Sequence, residues 1–172
     1  MKRRALGLVL ALLASAAAGA AAAESKDLFG WAERVLIGPG RLQLDAKLDT
    51  GADTSSLDAA HIRRIRRGNQ RLIRFELIDR ESGETITVER PLIRRATIKR
   101  HGGEHQRRPV VAIDVCLGTH LLRQIEVTLI DRSEFNYPLL LGRSALEGVA
   151  VVDPELSFTQ KPRCAMKGST ER

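Results

Sequence analysis

The chain has 172 residues, a formal net charge of +7, and aromatic residues that make up only 3% of it. This length suits one domain with a modest hydrophobic core. An excess of arginine often indicates nucleic-acid binding. One Trp, one Tyr and no base-stacking motif argue against a nucleic-acid partner here.

The first 23 residues are predicted to be a secretory signal peptide. Lys2, Arg3 and Arg4 form a basic start, an apolar stretch follows, and alanines at 21–23 offer a cleavage site. The Leu-rich part is short, so a retained membrane anchor is not expected. We therefore expect an exported protein, periplasmic or secreted. Residues 24–33 would lead into a domain spanning 34–160, and 161–172 would form a flexible C-terminal tail.

Short alternating runs between turn residues predict an all-β, barrel-like domain. The predicted strands are residues 34–37, 42–48, 72–78, 85–91, 93–99, 109–117, 124–130, 139–141 and 149–152. Hairpin turns are predicted at Ser82-Gly83, Gly102-Gly103 and Gly118-Thr119. Residues 59–67 and 144–148 are predicted to be short helices.

An Asp-Thr-Gly tripeptide at Asp49, Thr50 and Gly51 follows the second predicted strand, with Ala52 and Asp53 after it. A carboxylate at such a turn can face a reacting water, a small hydroxyl residue can lock the loop, and glycine permits the backbone turn. A hairpin turn with a local hydrogen bond from the Asp side chain is the structural alternative.

A second segment strengthens the catalytic interpretation. Leu141, Gly142 and Arg143 end an apolar run that begins after Tyr137 and Pro138. The two segments together resemble the retropepsin class of aspartic peptidases. The residues Thr-Leu-Ile-Asp-Arg-Ser at 128–133 and Val-Asp-Pro at 152–154 are similar to a bacterial family named ATP-dependent zinc proteases, which is regarded as retropepsin-like.

The resemblance implies a closed retropepsin-like barrel with one or two short helices and one half-site per subunit. A homodimer would then place the two Asp49 carboxylates across its axis, and Thr50 would join the two loops there. Ala52, Asp53, Leu141, Gly142 and Arg143 would support the site from behind. A hairpin from about residue 98 to 111 would be a flap whose tip is Gly102 and Gly103.

The resemblance also implies an ion pair between Asp53 and Arg143. The bacterial family often has a basic residue where this chain has Asp53, so the chain departs toward the viral pattern. The structural alternative is two unrelated surface charges.

No cofactor or metal is expected. His101 and His105 lie four residues apart, but Gly102 and Gly103 between them make a zinc-binding helix improbable. His61 and His120 look like ordinary loop or surface residues. The two cysteines, Cys116 and Cys164, could form a disulfide or remain two unpaired thiols.

Positive charge concentrates between residues 61 and 108, which hold 14 Lys and Arg against 6 Asp and Glu. A solvated arginine-rich face would explain this, and so would an acidic peptide substrate. The resemblance implies relatives that act beside glutamate ligases and remove glutamate tails. The expected function is therefore an aspartic endopeptidase that hydrolyses peptides, acidic or glutamate-rich ones included. The alternatives are a non-catalytic peptide-binding module on the same fold, or a zinc-dependent protease.

Overall fold

The computed structural model describes residues 25–38, 41–98 and 105–166. They form eleven strands and one four-residue helix, α1 (Arg143–Leu146). The strands are β1 (Asp27–Gly38), β2 (Leu42–Leu48), β3 (Ser55–Asp58), β4 (Ala60–Arg67), β5 (Gln70–Ile78), β6 (Thr85–Pro91), β7 (Arg94–Ile98), β8 (Gln106–Leu117), β9 (His120–Ile130), β10 (Leu139–Leu141) and β11 (Ala150–Ser157). The expected all-β class is confirmed.

Six strands close into a barrel. Hydrogen bonds join β1, β2, β10, β3, β9 and β8 in that order, and β8 then pairs back with β1 through Leu36 and Cys116. β11 and β7 extend the sheet beyond the ring. Because inward and outward residues alternate along each strand, the inward side chains fill the barrel. Leu42, Leu44, Ala46 and Leu48 of β2 show this alternation and are all buried.

A second sheet of three strands, β4, β5 and β6, packs against the barrel core through Ile73, Phe75 and Val88. The helix predicted for residues 59–67 is wrong, because residues 60–67 form β4. Ile62 and Ile65 have helical spacing, but β4 pairs antiparallel with β5, and the register shifts between Ala60 and Arg63. This bulge, where His61 has a φ of 48°, produces the irregular spacing.

The C-terminal segment is fastened to the barrel. Cys116 and Cys164 form a disulfide, and Arg163 donates its backbone N–H to Gly118 O at 2.7 Å. The carboxylate of Glu33 is fully buried and accepts backbone hydrogen bonds from Gly30 and Thr159. Among the described residues, the first strand therefore begins at Asp27, inside the predicted lead-in, and contacts with the barrel continue past residue 161, where the predicted tail starts.

The strand predicted at 93–99 and the one at 109–117 correspond to β7 and β8, which pair as an antiparallel hairpin from Ile98 and Gln106 onward. The predicted flap tip, Gly102 and Gly103, lies outside the described residues. So do the predicted signal peptide and His101. Within the described ranges, no helix is long and apolar enough to cross a membrane.

Candidate functional site

The Asp-Thr-Gly loop connects β2 to β3, and the barrel holds it from behind. β10 runs parallel to β2, with Leu141 beside Leu48, and Asp49 donates its backbone N–H to Leu141 O at 2.8 Å. Ala52 closes the turn by donating to Asp49 O at 3.2 Å. The predicted Leu141-Gly142-Arg143 segment therefore does lie directly behind the Asp49 loop.

The two oxygens of the Asp49 carboxylate have different partners. Oδ1 accepts hydrogen bonds from the backbone N–H groups of Gly51 at 3.0 Å and Ala52 at 3.1 Å. Oδ2 lies 3.2 Å from the ammonium nitrogen of Lys47. The Asp49 side chain is 23% exposed, so a solvent or substrate molecule can reach it.

The pKa of Asp49 lies below its ordinary value. Partial burial raises it, but the hydrogen bonds from Lys47, Gly51 and Ala52, together with the positive charge of Lys47, outweigh burial. In the single chain Asp49 is therefore held as an anion.

Gly142 is required by the close approach of two backbones. A Cβ atom there would lie 2.7 Å from Thr54 O and 2.8 Å from the Thr54 carbonyl carbon. Its own N–H donates to Ser55 Oγ at 3.1 Å, and Arg143 donates its backbone N–H to Ala52 O at 2.9 Å. These contacts fasten the loop to the start of α1.

The guanidinium of Arg143 reaches over the loop. Its Nη1 donates to Thr50 O at 3.1 Å and Gly51 O at 3.0 Å, and its Nη2 donates to Asp53 Oδ1 at 3.2 Å. The predicted Asp53–Arg143 pair is thus present. The two side chains are 81% and 54% exposed, so this ion pair by itself contributes little to stability. The carbonyl contacts fix the position of Arg143.

Sequence reasoning missed Lys47 and Ser55. Lys47 stands two residues before Asp49 in the sequence, but no role was predicted for it. The signal that could have found it is strand alternation, which places residues two apart on the same face and so turns Lys47 toward the side of Asp49. Ser55 gave no signal, because its partner Gly142 is 87 residues away.

The described residues contain no group of His, Cys, Asp and Glu side chains that could hold a metal ion. His61 contacts Glu76 at 2.8 Å, and His120 contacts Asp27 at 3.0 Å. Both histidines thus face a carboxylate.

A closed six-stranded barrel with one Asp-Thr-Gly loop, backed by a Leu-Gly-Arg segment, is the architecture of a single retropepsin-like subunit. Residues 28–163 match the RimB-like family model, described as "Retropepsin-like aspartic endopeptidase RimB". The chain belongs to this family.

Curated relatives carry a different name. The chain is 37% identical over 117 residues to a protein of Shewanella halifaxensis, and 34% identical over 122 residues to one of Parasynechococcus marenigrum. Both are named "Probable alpha-L-glutamate ligase". The matches cover 67% and 70% of this chain, but only 25% and 26% of the relatives. The chain thus spans about a quarter of their length.

A solved structure has a similar fold. The crystal structure of Lpg0085 from Legionella pneumophila, a protein of unknown function, matches with a TM-score of 0.69 and 35% sequence identity. The match covers 80% of this chain and 100% of that chain.

Proposed function

We propose that this protein is an aspartic endopeptidase that hydrolyses peptide bonds with two Asp49 carboxylates, one from each subunit of a homodimer. The observation that carries the proposal is the Asp49 carboxylate, partly exposed on a loop fastened by Gly142 and Arg143. The family match to retropepsin-like endopeptidases supports the same reaction.

One chain supplies one such carboxylate, so the reaction needs a second copy. A pocket of about 510 Å³ lies beside the loop and is lined by Thr50, Asp53, Arg143 and Leu146, among others. We place the second subunit against this side of the loop. Paired across the axis, two Asp49 carboxylates would share one proton and titrate as a unit.

One of the paired carboxylates acts as the general base and the other as the general acid. The ionised Asp49 takes a proton from a water, whose oxygen attacks the peptide carbonyl carbon, while the protonated Asp49 gives its proton to the carbonyl oxygen. The carbon–nitrogen bond then breaks, and the leaving amine receives the proton that the first carboxylate had taken. One hydroxyl of the intermediate returns a proton to the second carboxylate, which leaves a carboxylic acid product and restores the starting pair of Asp49 groups. No step requires a metal or a cofactor.

We further propose that the substrate is acidic. Arg64, Arg66, Arg71 and Arg95 line one pocket of about 270 Å³, and no carboxylate of the described residues forms an ion pair with any of them. Arg66 and Arg71 stand directly opposite on β4 and β5, which is unfavourable without an anion between them. The relatives' name refers to glutamate, which agrees with a glutamate-rich peptide.

Export to the periplasm remains part of the proposal. The Cys116–Cys164 disulfide supports it, because disulfides persist mainly in oxidising compartments. Localising a tagged full-length chain by cell fractionation, with a version lacking residues 1–23 as control, tests this part.

The test of the reaction is cleavage of internally quenched peptides containing several glutamates. The purified protein should cleave them, Asp49→Asn should lower turnover by at least about a thousandfold, and chelators should have no effect. Asp131→Asn, which changes an exposed aspartate outside the loop, is the matched control. Peptide binding without turnover in the wild type would instead identify a non-catalytic binding module. Loss of turnover with chelators would identify a metal-dependent hydrolase.

A further inference from the structure

The Lys47 ammonium contacts the Asp49 carboxylate oxygen that accepts no hydrogen bond from the loop backbone. The backbone of Gly51 and Ala52 occupies Oδ1, whereas Oδ2 is contacted by the Lys47 ammonium at 3.2 Å. In the resting chain, the ammonium therefore contacts the carboxylate oxygen that the loop backbone leaves open to a reacting water.

The surroundings of Lys47 leave its ammonium available for a ligand. Lys47 is 44% exposed and lies between Ala32 of β1 and Leu140 of β10, neither of which carries charge. Among the described residues, Asp49 is its one ion-pair partner.

Two other charged groups near the loop, those of Asp45 and Arg143, are already engaged. Asp45, on the same strand, contacts Arg34 of β1 at 3.8 Å, and Arg143 of α1 is held by Asp53 and the loop carbonyls. Lys47 has a single ion-pair contact within the described part of the chain, whereas Arg143 makes three hydrogen bonds, so Lys47 is the cation that turns more readily to an arriving anion.

We propose that Lys47 anchors a carboxylate-binding subsite beside Asp49, and that its ammonium passes from Asp49 to an acidic side chain next to the bond being cleaved. This inference rests on the proposed function. A lysine has a flexible four-carbon stem, so its charge can move to a neighbouring carboxylate without backbone motion.

The transfer links substrate choice to catalysis. While Lys47 contacts Asp49, the carboxylate is held ionised, and the shared proton of the paired site is disfavoured. An acidic peptide that takes over the ammonium removes this restraint. A neutral peptide of the same shape leaves it in place. Selectivity for an acidic side chain should then appear in kcat as well as in KM.

The first measurement needs no turnover. Binding of a fluorescent peptide with a Glu-Glu core, and of its Gln-Gln counterpart, is measured by polarisation for Asp49→Asn and for Asp49→Asn combined with Lys47→Met. The added Lys47→Met should weaken Glu-peptide binding by about tenfold and leave Gln-peptide binding unchanged. Lys47→Arg should retain the preference, and Lys161→Met, at an exposed lysine elsewhere, should change nothing.

The second measurement uses turnover with Asp49 intact. Lys47→Met should bring the Glu-to-Gln ratio of kcat/KM close to one and move the acidic limb of the pH profile to higher pH. Loss of the Glu preference in binding, in a protein whose wild type cleaves nothing, would uphold the subsite and refute the endopeptidase. Equal binding of both peptides by Asp49→Asn, or an unchanged preference after Lys47→Met, would overturn the subsite whatever the turnover.

Discussion

Asp49 and Lys47 lie two residues apart where β2 meets the loop, and their charges stand 3.2 Å from each other. The pKa of the Asp49 carboxyl group in the folded chain lies below its ordinary value. Such a group stabilises the folded state when the pH is above the ordinary pKa, and this stabilisation is lost as the pH falls through the lowered pKa. The contribution of Asp49 is therefore present at neutral pH and disappears in acid.

Removing the lysine charge should reduce this pH dependence. In Lys47→Met the pKa of Asp49 should rise toward its ordinary value, although the Gly51 and Ala52 hydrogen bonds remain. The carboxyl carbon of Asp49, followed by NMR during acid titration, reports this directly. The free energy of unfolding should also fall less between neutral and acidic pH than in the wild type. An unmoved titration of Asp49 would show that Lys47 has no electrostatic effect on it.

Gly142 offers a steric test at the same scale. Gly142→Ala places a methyl group against the Thr54 carbonyl, where neither backbone can yield without loosening the Asp49 loop. We expect a loss of about 1–3 kcal/mol in the free energy of unfolding, together with lower turnover. Glu134→Ala, at an exposed position away from the loop and its pocket, is the control and should change neither quantity. Wild-type stability in Gly142→Ala would contradict the close approach of the two segments.

At the scale of elements, strands with an alternating pattern or a continuous apolar run were predicted from sequence. The bounds of β2, β6 and β10 agree with prediction. β3 was missed because four residues beside the loop give no periodicity, and β4 was mistaken for a helix because its bulge at His61 disturbs the alternation. Contacts between distant segments, such as Ser55 with Gly142, leave no local signal.

Asp79 stabilises the turn of the β5–β6 hairpin, whose strand β5 contributes Arg71 to the arginine pocket. The Asp79 carboxylate accepts hydrogen bonds from Ser82 Oγ at 2.6 Å and from the Glu81 backbone at 2.9 Å. These bonds lower its pKa, with the Ser82 hydroxyl contributing most. Asp79→Ala should lower the free energy of unfolding by about 1 kcal/mol at neutral pH and by less in acid. Glu84→Ala in the same turn is the control. Equal losses at both pH values would argue against the hydrogen-bonded anion.

At the scale of the whole molecule, both ends of the described chain are attached to the barrel, the first as strand β1 and the last through a disulfide. The disulfide joins residues 48 apart in sequence and fixes the segment after β11 to the end of β8. Sequence reasoning left the pairing open, because Cys164 gave no sign that it would be buried. Only the folded chain brings Cys164 beside Cys116.

Removing this link should destabilise the fold. Replacing both Cys116 and Cys164 by serine should lower the free energy of unfolding by about 2–4 kcal/mol, measured with denaturant. A reducing agent should destabilise the wild type by a comparable amount and leave the double variant unaffected. Equal stability of the reduced and oxidised wild type would show that the C-terminal segment adds nothing to the fold.

The central claim is that two Asp49 residues form one active site. Adding increasing amounts of Asp49→Asn to a fixed concentration of wild type, with time for subunit exchange, tests it directly. Mixed dimers contain a single carboxylate, so turnover of the glutamate peptide should fall toward zero as the variant is added. Excess Asp131→Asn should raise turnover instead. Turnover that stays constant whatever the amount of Asp49→Asn would mean that each chain acts alone, and it would contradict the paired site.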